Sequence, residues 1–240
     1  MTGSFLYEYD GKYIKNARFV KDKDGCIKIY ELPKTRLSIC FISEILQEKA
    51  VTFLLGQVLN NVTGVQVATL RKEFDADEYT RQMVCLGRYY NNALLSIEAN
   101  FDTFPIKEAE RLGYKKQFIR EKEDTYTDKH AKAYGFKTDK ITRPYILSEL
   151  QQIVNEHIDF INDKDTLEEM LTFVRNENGR PEAQEGSHDD LIMSLAIAYY
   201  SRGQQSMKVK EVPHGEPIIN FEIEQQNNEY LDYGTEVKVI

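Results

Sequence analysis

The chain has 240 residues, of which 41% are hydrophobic and 29% are charged, a balance typical of a globular protein with a core of its own. Its net charge of −8 excludes a uniformly basic nucleic-acid coat, although a local basic groove stays compatible with it. Cys26, Cys40 and Cys85 follow no metal-ligand spacing, which excludes a cysteine-type zinc site and fits a reducing compartment.

The first half of the chain predicts strands with two helices between them. Residues 25–32 alternate as a strand, and residues 56–74 form two β-rich runs whose turn needs Gly64 at a positive φ. A helix capped by Asp75 or Asp77 follows, then a buried strand over residues 93–100 and a helix that ends at Gly113. Strands in a hairpin followed by helix, strand and helix predict an α/β fold with a mixed sheet.

The second half is predicted to be mainly helical. Residues 120–140 are polar and rich in Tyr and Lys, so we expect mostly loop there. Two amphipathic helices follow, and a third with Ser187 as its cap is apolar nearly all round and is closed by Gly203. Beyond it the composition turns polar and acidic, which predicts a weakly ordered or partner-dependent tail. No apolar run approaches the length of a membrane span, and the N-terminus has no apolar export segment, so we expect no membrane contact and no secretion.

Carboxylates stand at two places where α/β proteins keep their reactive groups. Glu98 lies at the carboxyl end of an apolar strand, the edge where active groups of such sheets cluster. His188, Asp189 and Asp190 open the buried last helix, and one capping residue does not account for all three. The plainer alternatives are an exposed strand-end carboxylate at Glu98 and simple N-capping at Asp189. If Glu98 and Asp189 converge, their oxygens suit Mg²⁺ or Mn²⁺, which would activate water for phosphodiester hydrolysis.

Basic residues follow in the chain and are candidates for a groove that binds nucleic-acid phosphates. Solvated loop charge explains them equally well. The candidates are Lys137, Lys140, Arg143, Arg175 and Arg180. The sequence has no phosphate-binding P-loop, no dinucleotide fingerprint, no H-E-x-x-H and no G-x-S-x-G.

From Val58 to Tyr200 the chain resembles the C-terminal nuclease domain of the phage terminase large subunit, the DNA-packaging motor protein. The resemblance rests on "LLSIEANFDTFPI", "KTDKITRPYILSELQQIV", "TFVRNENGRPEAQEG" and above all "HDDLIMSLAIAYY". It implies an RNase H-like fold and an endonuclease that cuts concatemeric viral DNA with two divalent metals held by three acidic motifs. Glu98 matches the second motif and Asp189 the third, with His188 and Asp190 beside it.

The resemblance also implies partners, a compartment and a division of the chain. Double-stranded DNA, the portal protein and the terminase small subunit are the expected partners, in the cytoplasm of the bacterial host of a phage or prophage. We expect residues 1–33 to be a strand and linker region after a missing ATPase domain. Residues 34–203 are then the RNase H-like domain, with an aberrant segment over 34–55, and residues 204–240 are the tail.

The first acidic motif is missing from this chain. In this subgroup it resembles Gly-Asp-Thr-Ala-Gly-Glu-Gly-Ser-Asp-Phe, where the chain has Ser43–Phe53, a helix-prone stretch with Glu44 and Glu48 near the lost Asp. Codons exist for Ser43–Phe53 that spell the whole motif when read from the last base of the Ser43 codon. We therefore interpret the segment as a local frameshift, restored around Leu55–Gly56, that is either a sequencing error or a lesion in a decaying prophage. The coding DNA tests this interpretation.

Three functions stay open at this point. A metal-dependent nuclease, weakened or inactivated by the lost ligand, is the first, because a carboxylate set short of one member binds metal poorly. A nuclease-dead module that binds DNA or the portal is the second. Another RNase H-like enzyme, such as a resolvase or transposase, is the third, and the string from Arg175 to Tyr200 argues against it.

Overall fold

The computed structural model describes residues 1–33, 39–48, 51–73, 75–100, 103–123, 130–177 and 179–205, and of 39–48, 51–54, 72–73, 122–123 and 130–131 the backbone alone. The strands are β1 Thr2–Tyr9, β2 Ile14–Lys21, β3 Ile27–Ile29, β4 Ile39–Glu48, β5 Val51–Asn60, β6 Gln66–Glu73, β7 Leu94–Ile97, β8 Ile119–Glu123, β9 His130–Tyr134, β10 Phe173–Arg175 and β11 Pro181–Ala183. The helices are α1 Ala76–Tyr89, α2 Phe104–Arg111, α3 Thr142–His157, α4 Lys164–Leu171 and α5 Asp190–Ser201. None of these helices is both long and apolar enough to cross a membrane.

The central sheet has seven strands in the order β2-β1-β3-β6-β5-β4-β7. Every neighbouring pair is antiparallel except β4 and β7, which are parallel. The predicted hairpin is present as β5 and β6, and Gly64 in its turn has φ +84°. The mixed α/β sheet expected from the sequence is therefore confirmed.

Helices cover the two faces of this sheet because neighbouring strand residues point to opposite sides. Val58 and Leu95 pack in one core with side chains of α1 and α2. Leu59 and Leu94, one residue away on the same strands, pack in a second core with α3 and α5. The helix α5 is apolar nearly all round because it lies between the sheet and α3.

Residues 1–33 form three strands that belong to the same sheet and the same core. Phe5 and Phe19 are each 1% exposed, and their rings lie 5.6 and 6.4 Å from the ring of Tyr89 on α1. Gln82 of α1 fixes the position of β1, because its side-chain amide accepts from the Phe5 amide at 2.9 Å and donates to the Phe5 carbonyl at 2.8 Å. The N-terminal strands are thus packed against the body of the fold.

Three local predictions were wrong. The stretch 120–140 contains a hairpin, β8 and β9, because five residue pairs of this polar segment join in antiparallel register. Of the helix-prone stretch Ser43–Phe53, residues 43–48 lie in β4 and residues 51–53 in β5, where pairing with β6 and β7 on either side overrides local propensity. The residue that caps α5 is Asp189 rather than Ser187. The predicted tail beyond Gln205 lies outside the described residues.

Candidate metal and nucleic-acid site

Glu98 is buried at the edge of the sheet, one residue beyond the end of β7. Its side chain is 4% exposed, so the alternative of an exposed strand-end carboxylate is wrong. The outer side of β7 is covered by Phe136, whose amide donates to the Ile97 carbonyl and whose carbonyl accepts from the Ala99 amide, both at 2.7 Å. Backbone bonds on both sides of Glu98 therefore fix the position of its main chain.

Asp189 stands at the start of α5, and its main chain begins the helix. Its carbonyl accepts from the Met193 amide at 2.8 Å, while its carboxylate makes no capping hydrogen bond within the described part of the chain. The carboxylate accepts instead from the guanidinium of Arg143, and the two side chains are 23% and 22% exposed. Capping therefore does not explain the Asp189 carboxylate, which instead pairs with the positively charged guanidinium of Arg143.

The residues on either side of Asp189 differ in exposure. Nδ1 of His188 lies 3.7 Å from Oδ2 of Asp190, and the His188 side chain is 64% exposed whereas that of Asp190 is 13% exposed. A largely exposed imidazole beside a mostly buried carboxylate can contact a ligand that approaches from solvent.

Glu169 of α4 is a further member of this cluster that the sequence reading missed. Its Oε1 accepts from the Ile192 amide at 2.8 Å, at the N-terminal end of α5. Burial raises the pKa of Glu169 to about 7; the bond from Ile192 opposes the rise, and the charges of Asp190 and Asp189 add to it. Nothing in the linear pattern distinguishes Glu169 from the adjacent Glu168, because only the packing of α4 on α5 brings it here.

A short chain of contacts links Glu98 to Asp189. Two residues after Glu98, the Asn100 side chain donates to the Thr138 carbonyl at 2.6 Å and accepts from the Thr138 amide at 3.1 Å. The following loop starts α3, because Oδ1 of Asp139 accepts from the Thr142 amide at 2.9 Å. Arg143 is the next residue and reaches Asp189. Both predicted acidic positions are thereby tied to the same loop.

The oxygen ligands that these residues offer suit a hard divalent cation. Three carboxylates, those of Asp189, Asp190 and Glu169, lie near the start of α5, and Asp189 pairs there with the positive guanidinium of Arg143. Among the side chains that the structure describes, no three of the His, Cys, Asp and Glu type stand close enough together to hold a metal ion. Mg²⁺ commonly takes only one or two carboxylates and completes its shell with water and substrate phosphates, so the residues present suit such an ion.

The strand β4 runs parallel to β7 as far as the end of β7. Ser43 pairs with Ile97 in this register, and Glu44 and Glu98 are the next residues along the two chains. The main chain of Glu44 therefore follows the last β4–β7 pair, as that of Glu98 does, within the segment where the first acidic motif is missing.

The predicted nucleic-acid contacts border the helix α3 in two groups. Lys137 and Lys140 are exposed in the loop before α3, while Arg143 in its first turn pairs with Asp189. Arg175 and Arg180 are exposed on the β10–β11 hairpin, and a guanidinium nitrogen of Arg175 lies 3.3 Å from Oε1 of Gln151 on α3. Four of the five residues are thus exposed, and Arg143 makes an internal contact.

Comparison with known proteins gives matches in structure alone. No family model and no curated protein matches the chain. The crystal structure of the large terminase nuclease from thermophilic phage G20c superposes with a TM-score of 0.55 at 18% identity, covering 75% of this chain and 90% of that one. The large terminase nuclease domain of Thermus phage P74-26 gives a TM-score of 0.53 at 19% identity, over 74% of this chain and 86% of that one.

These matches confirm the fold expected from the sequence. The chain has the RNase H-like architecture of large terminase nuclease domains. The G20c nuclease has also been solved with magnesium, cobalt and zinc bound, which describes that protein's capacity for divalent metals.

Proposed function

We propose that this chain is a terminase-type nuclease module that binds double-stranded DNA and a divalent cation, Mg²⁺ or Mn²⁺, and serves the cutting of concatemeric viral DNA during genome packaging. Glu98 and Asp189 are the proposed metal ligands, with His188 and Asp190 beside them. The observation that carries the proposal is that one segment, residues 138–143, bonds Asn100, two residues after the buried Glu98, and also bonds Asp189 through Arg143, within a fold like that of large terminase nucleases.

Each acidic residue contributes through its position. Divalent cations held by carboxylates at such a site activate water and stabilise the leaving oxygen of a phosphodiester. The backbone bonds on either side of Glu98 fix the main chain from which its carboxylate projects, which favours binding in one geometry. His188 is exposed beside Asp190 and can exchange protons with a bound phosphate group or its water.

Double-stranded DNA is the proposed substrate, with the basic side chains around α3 on its path. Lys137 and Lys140 stand in the loop that positions Arg143, and Arg175 and Arg180 lie on the neighbouring hairpin. The two groups border the two ends of α3, and their positive charges can neutralise DNA phosphates. The portal protein and the terminase small subunit are further proposed partners, by resemblance to the family.

A second function is favoured by one specific feature, the segment Ser43–Phe53. It lacks the Gly-Asp-Thr motif that supplies a catalytic Asp in the family, so we expect the chain to bind DNA and cation while cleaving weakly or not at all. The alternative function is therefore a nuclease-dead module that binds DNA or the portal in a degraded prophage terminase.

Three conservative variants test the proposed site. Glu98→Gln and Asp189→Asn each remove one charge with little change in volume, and Asp159→Asn is the matched control at an exposed position. We expect Mn²⁺ binding, measured by calorimetry, to weaken at least about 100-fold in the first two and to be unchanged in the control. DNA binding in gel-shift assays should persist in all three. Equal Mn²⁺ affinity in Asp189→Asn and the unaltered chain would contradict the proposal.

A further inference from the structure

We propose that Arg143 is the internal counter-ion of Asp189 and competes with the divalent cation for that carboxylate. The inference rests on the proposed function, in which Asp189 is a metal ligand. The guanidinium of Arg143 donates to Oδ2 of Asp189. A cation that takes Oδ2 has to displace Arg143, so this residue lowers the cation affinity of the site.

The negative charge at the start of α5 explains why Asp189 needs a cationic partner. Asp190 and Glu169 lie close by, and the pKa of Glu169 is raised chiefly by burial, with the charges of Asp190 and Asp189 contributing. The side chains of Asp189 and Arg143 are only about a fifth exposed, at 23% and 22%. At that burial the pair is screened less than a surface ion pair, so loss of one partner leaves the other charge poorly compensated.

The local backbone holds Arg143 in place for this contact. Oδ1 of Asp139 accepts from the Ile141 amide at 2.8 Å and the Thr142 amide at 2.9 Å, and the Thr142 hydroxyl donates to the Lys137 carbonyl at 3.0 Å. The Arg143 amide donates to the Asp139 carbonyl at 3.0 Å. The first turn of α3 is therefore fixed before any ligand binds, and release of Arg143 requires only a change of its side chain.

Release of Arg143 would place a guanidinium among the exposed Lys137 and Lys140 of the preceding loop. Arginine forms two parallel hydrogen bonds with phosphate, a geometry that a lysine cannot supply. Cation binding to Asp189 and phosphate binding to Arg143 are thus expected to favour one another, because each breaks the ion pair between Arg143 and Asp189 and frees the other residue for its ligand.

The test measures cation affinity without any cleavage. Mn²⁺ is titrated calorimetrically into the DNA-free unaltered chain, Arg143→Gln, and the control Lys107→Gln, which loses one exposed positive charge on α2. Arg143→Gln should bind Mn²⁺ about three- to tenfold more tightly, the factor expected for removal of a weak to moderate ion pair. The control should bind as the unaltered chain does.

A double-mutant cycle separates this inference from the proposed function. Arg143→Gln, Asp189→Asn and the double variant are unfolded by urea in EDTA and in saturating Mn²⁺. Coupling between the two residues should be present in EDTA and lost in Mn²⁺. If Mn²⁺ binding depends on Asp189 but Arg143→Gln leaves the affinity unchanged or lowers it, the competition is refuted while the metal site stands. If no Mn²⁺ binding depends on Asp189, the proposed function fails and this inference fails with it.

Discussion

Asp163, at the N-terminus of α4, is a buried carboxylate whose contacts are structural. Its Oδ1 accepts from the Tyr30 hydroxyl at 2.6 Å, and its Oδ2 accepts from the Thr166 amide at 2.9 Å and the Thr166 hydroxyl at 2.8 Å. Nζ of Lys28 lies 3.4 Å from Oδ1 of Asp163. Burial alone would raise the pKa of Asp163, but the bonds from Tyr30 and Thr166, together with the charge of Lys28, outweigh it and hold the pKa below its ordinary value.

The sign of this shift gives a pH-dependent stability. A carboxyl group whose pKa is lower in the folded state stabilises the fold above its unfolded pKa of about 4, and the contribution is lost as the pH falls through the folded value. We expect Asp163→Asn to cost about 1–3 kcal/mol at pH 7, because it leaves Tyr30 and Lys28 without their acceptor charge. The difference from the unaltered chain should shrink below pH 4. Urea unfolding at pH 7 and pH 3 checks this, and an equal difference at both values would contradict it.

Single residues also mark where sequence reasoning succeeds and where it stops. Glu98 and Asp189 could be singled out because each ends or begins an apolar element, a relation visible in the linear order. Glu169 could not, because its place beside Ile192 depends on how α4 packs against α5. The pairing of Arg143 with Asp189, 46 positions apart, is likewise a tertiary contact with no local pattern.

At the scale of elements, the spacing of apolar residues predicted the helices and strands that form the core. The helices α1, α2, α3 and α5 and the strands β5, β6 and β7 all bury apolar faces, and all were expected. The hairpin β8–β9 was missed because it lies at the edge of the fold, where strands carry polar side chains and leave no alternating pattern. The strand β4 was missed because its pairing on both sides is decided by its neighbours.

The base of the β8–β9 hairpin depends on Gly135, which lies between β9 and the segment beside Glu98. Its φ is +89°, and an added Cβ would lie 2.5 Å from Cδ1 of Ile106 and 2.9 Å from the Ile97 carbonyl oxygen. Gly179 offers a matched control, since its φ is +72° but an added Cβ meets no described atom within 4 Å. Alanine at either position would adopt an unfavourable positive φ, but only alanine at Gly135 would also clash with neighbouring atoms.

We therefore expect Gly135→Ala to be the more destabilising of the two variants. The positive φ alone should cost about 1–2 kcal/mol at either glycine, and the clash should add about 1–3 kcal/mol at Gly135. Urea unfolding measures both free energies. Gly135→Ala should also weaken Mn²⁺ binding, because the clash displaces the strand end that carries Glu98. Equal losses of stability in the two variants would show that the edge relaxes around the methyl group.

On the scale of the whole molecule, the sheet joins the two ends of the described chain in one structure. The N-terminal strands extend the sheet at its β6 edge, while Gln205 at the far end bonds the Leu94 amide of β7 at 2.9 Å. The acidic cluster lies at the opposite end of α5 from Ser201, whose hydroxyl donates to Ser96 at 2.7 Å. Residues that are distant in the sequence therefore meet at the acidic cluster, and the local pattern at the start of α5 predicted only some of its members.

The segment Ser43–Phe53, which we interpret as frameshifted, is compatible with the architecture, since its residues 43–48 and 51–53 belong to β4 and β5 in regular register. Loss of activity should therefore be a loss of chemistry and not of folding. Replacing Ser43–Phe53 by the Gly-Asp-Thr-Ala-Gly-Glu-Gly-Ser-Asp-Phe motif restores a carboxylate near the level of Glu98, and we expect it to raise plasmid nicking in Mn²⁺ at least about 100-fold. Asp189→Asn in the restored chain is the control and should abolish the gain.

If the unaltered chain is an active nuclease, Glu44 is the first residue to test. It follows Ser43, the last residue of β4 that pairs with β7, just as Glu98 follows Ile97, so it is the candidate replacement for the missing Asp. If the unaltered chain nicks plasmid DNA as well as the restored one, the expected inactivity is refuted, and Glu44→Gln identifies the cause. Nicking that disappears in Glu44→Gln would mean that the altered strand supplies its own ligand. Nicking that persists would mean that the site works without a third carboxylate, because water and DNA phosphates complete the shell of the cation.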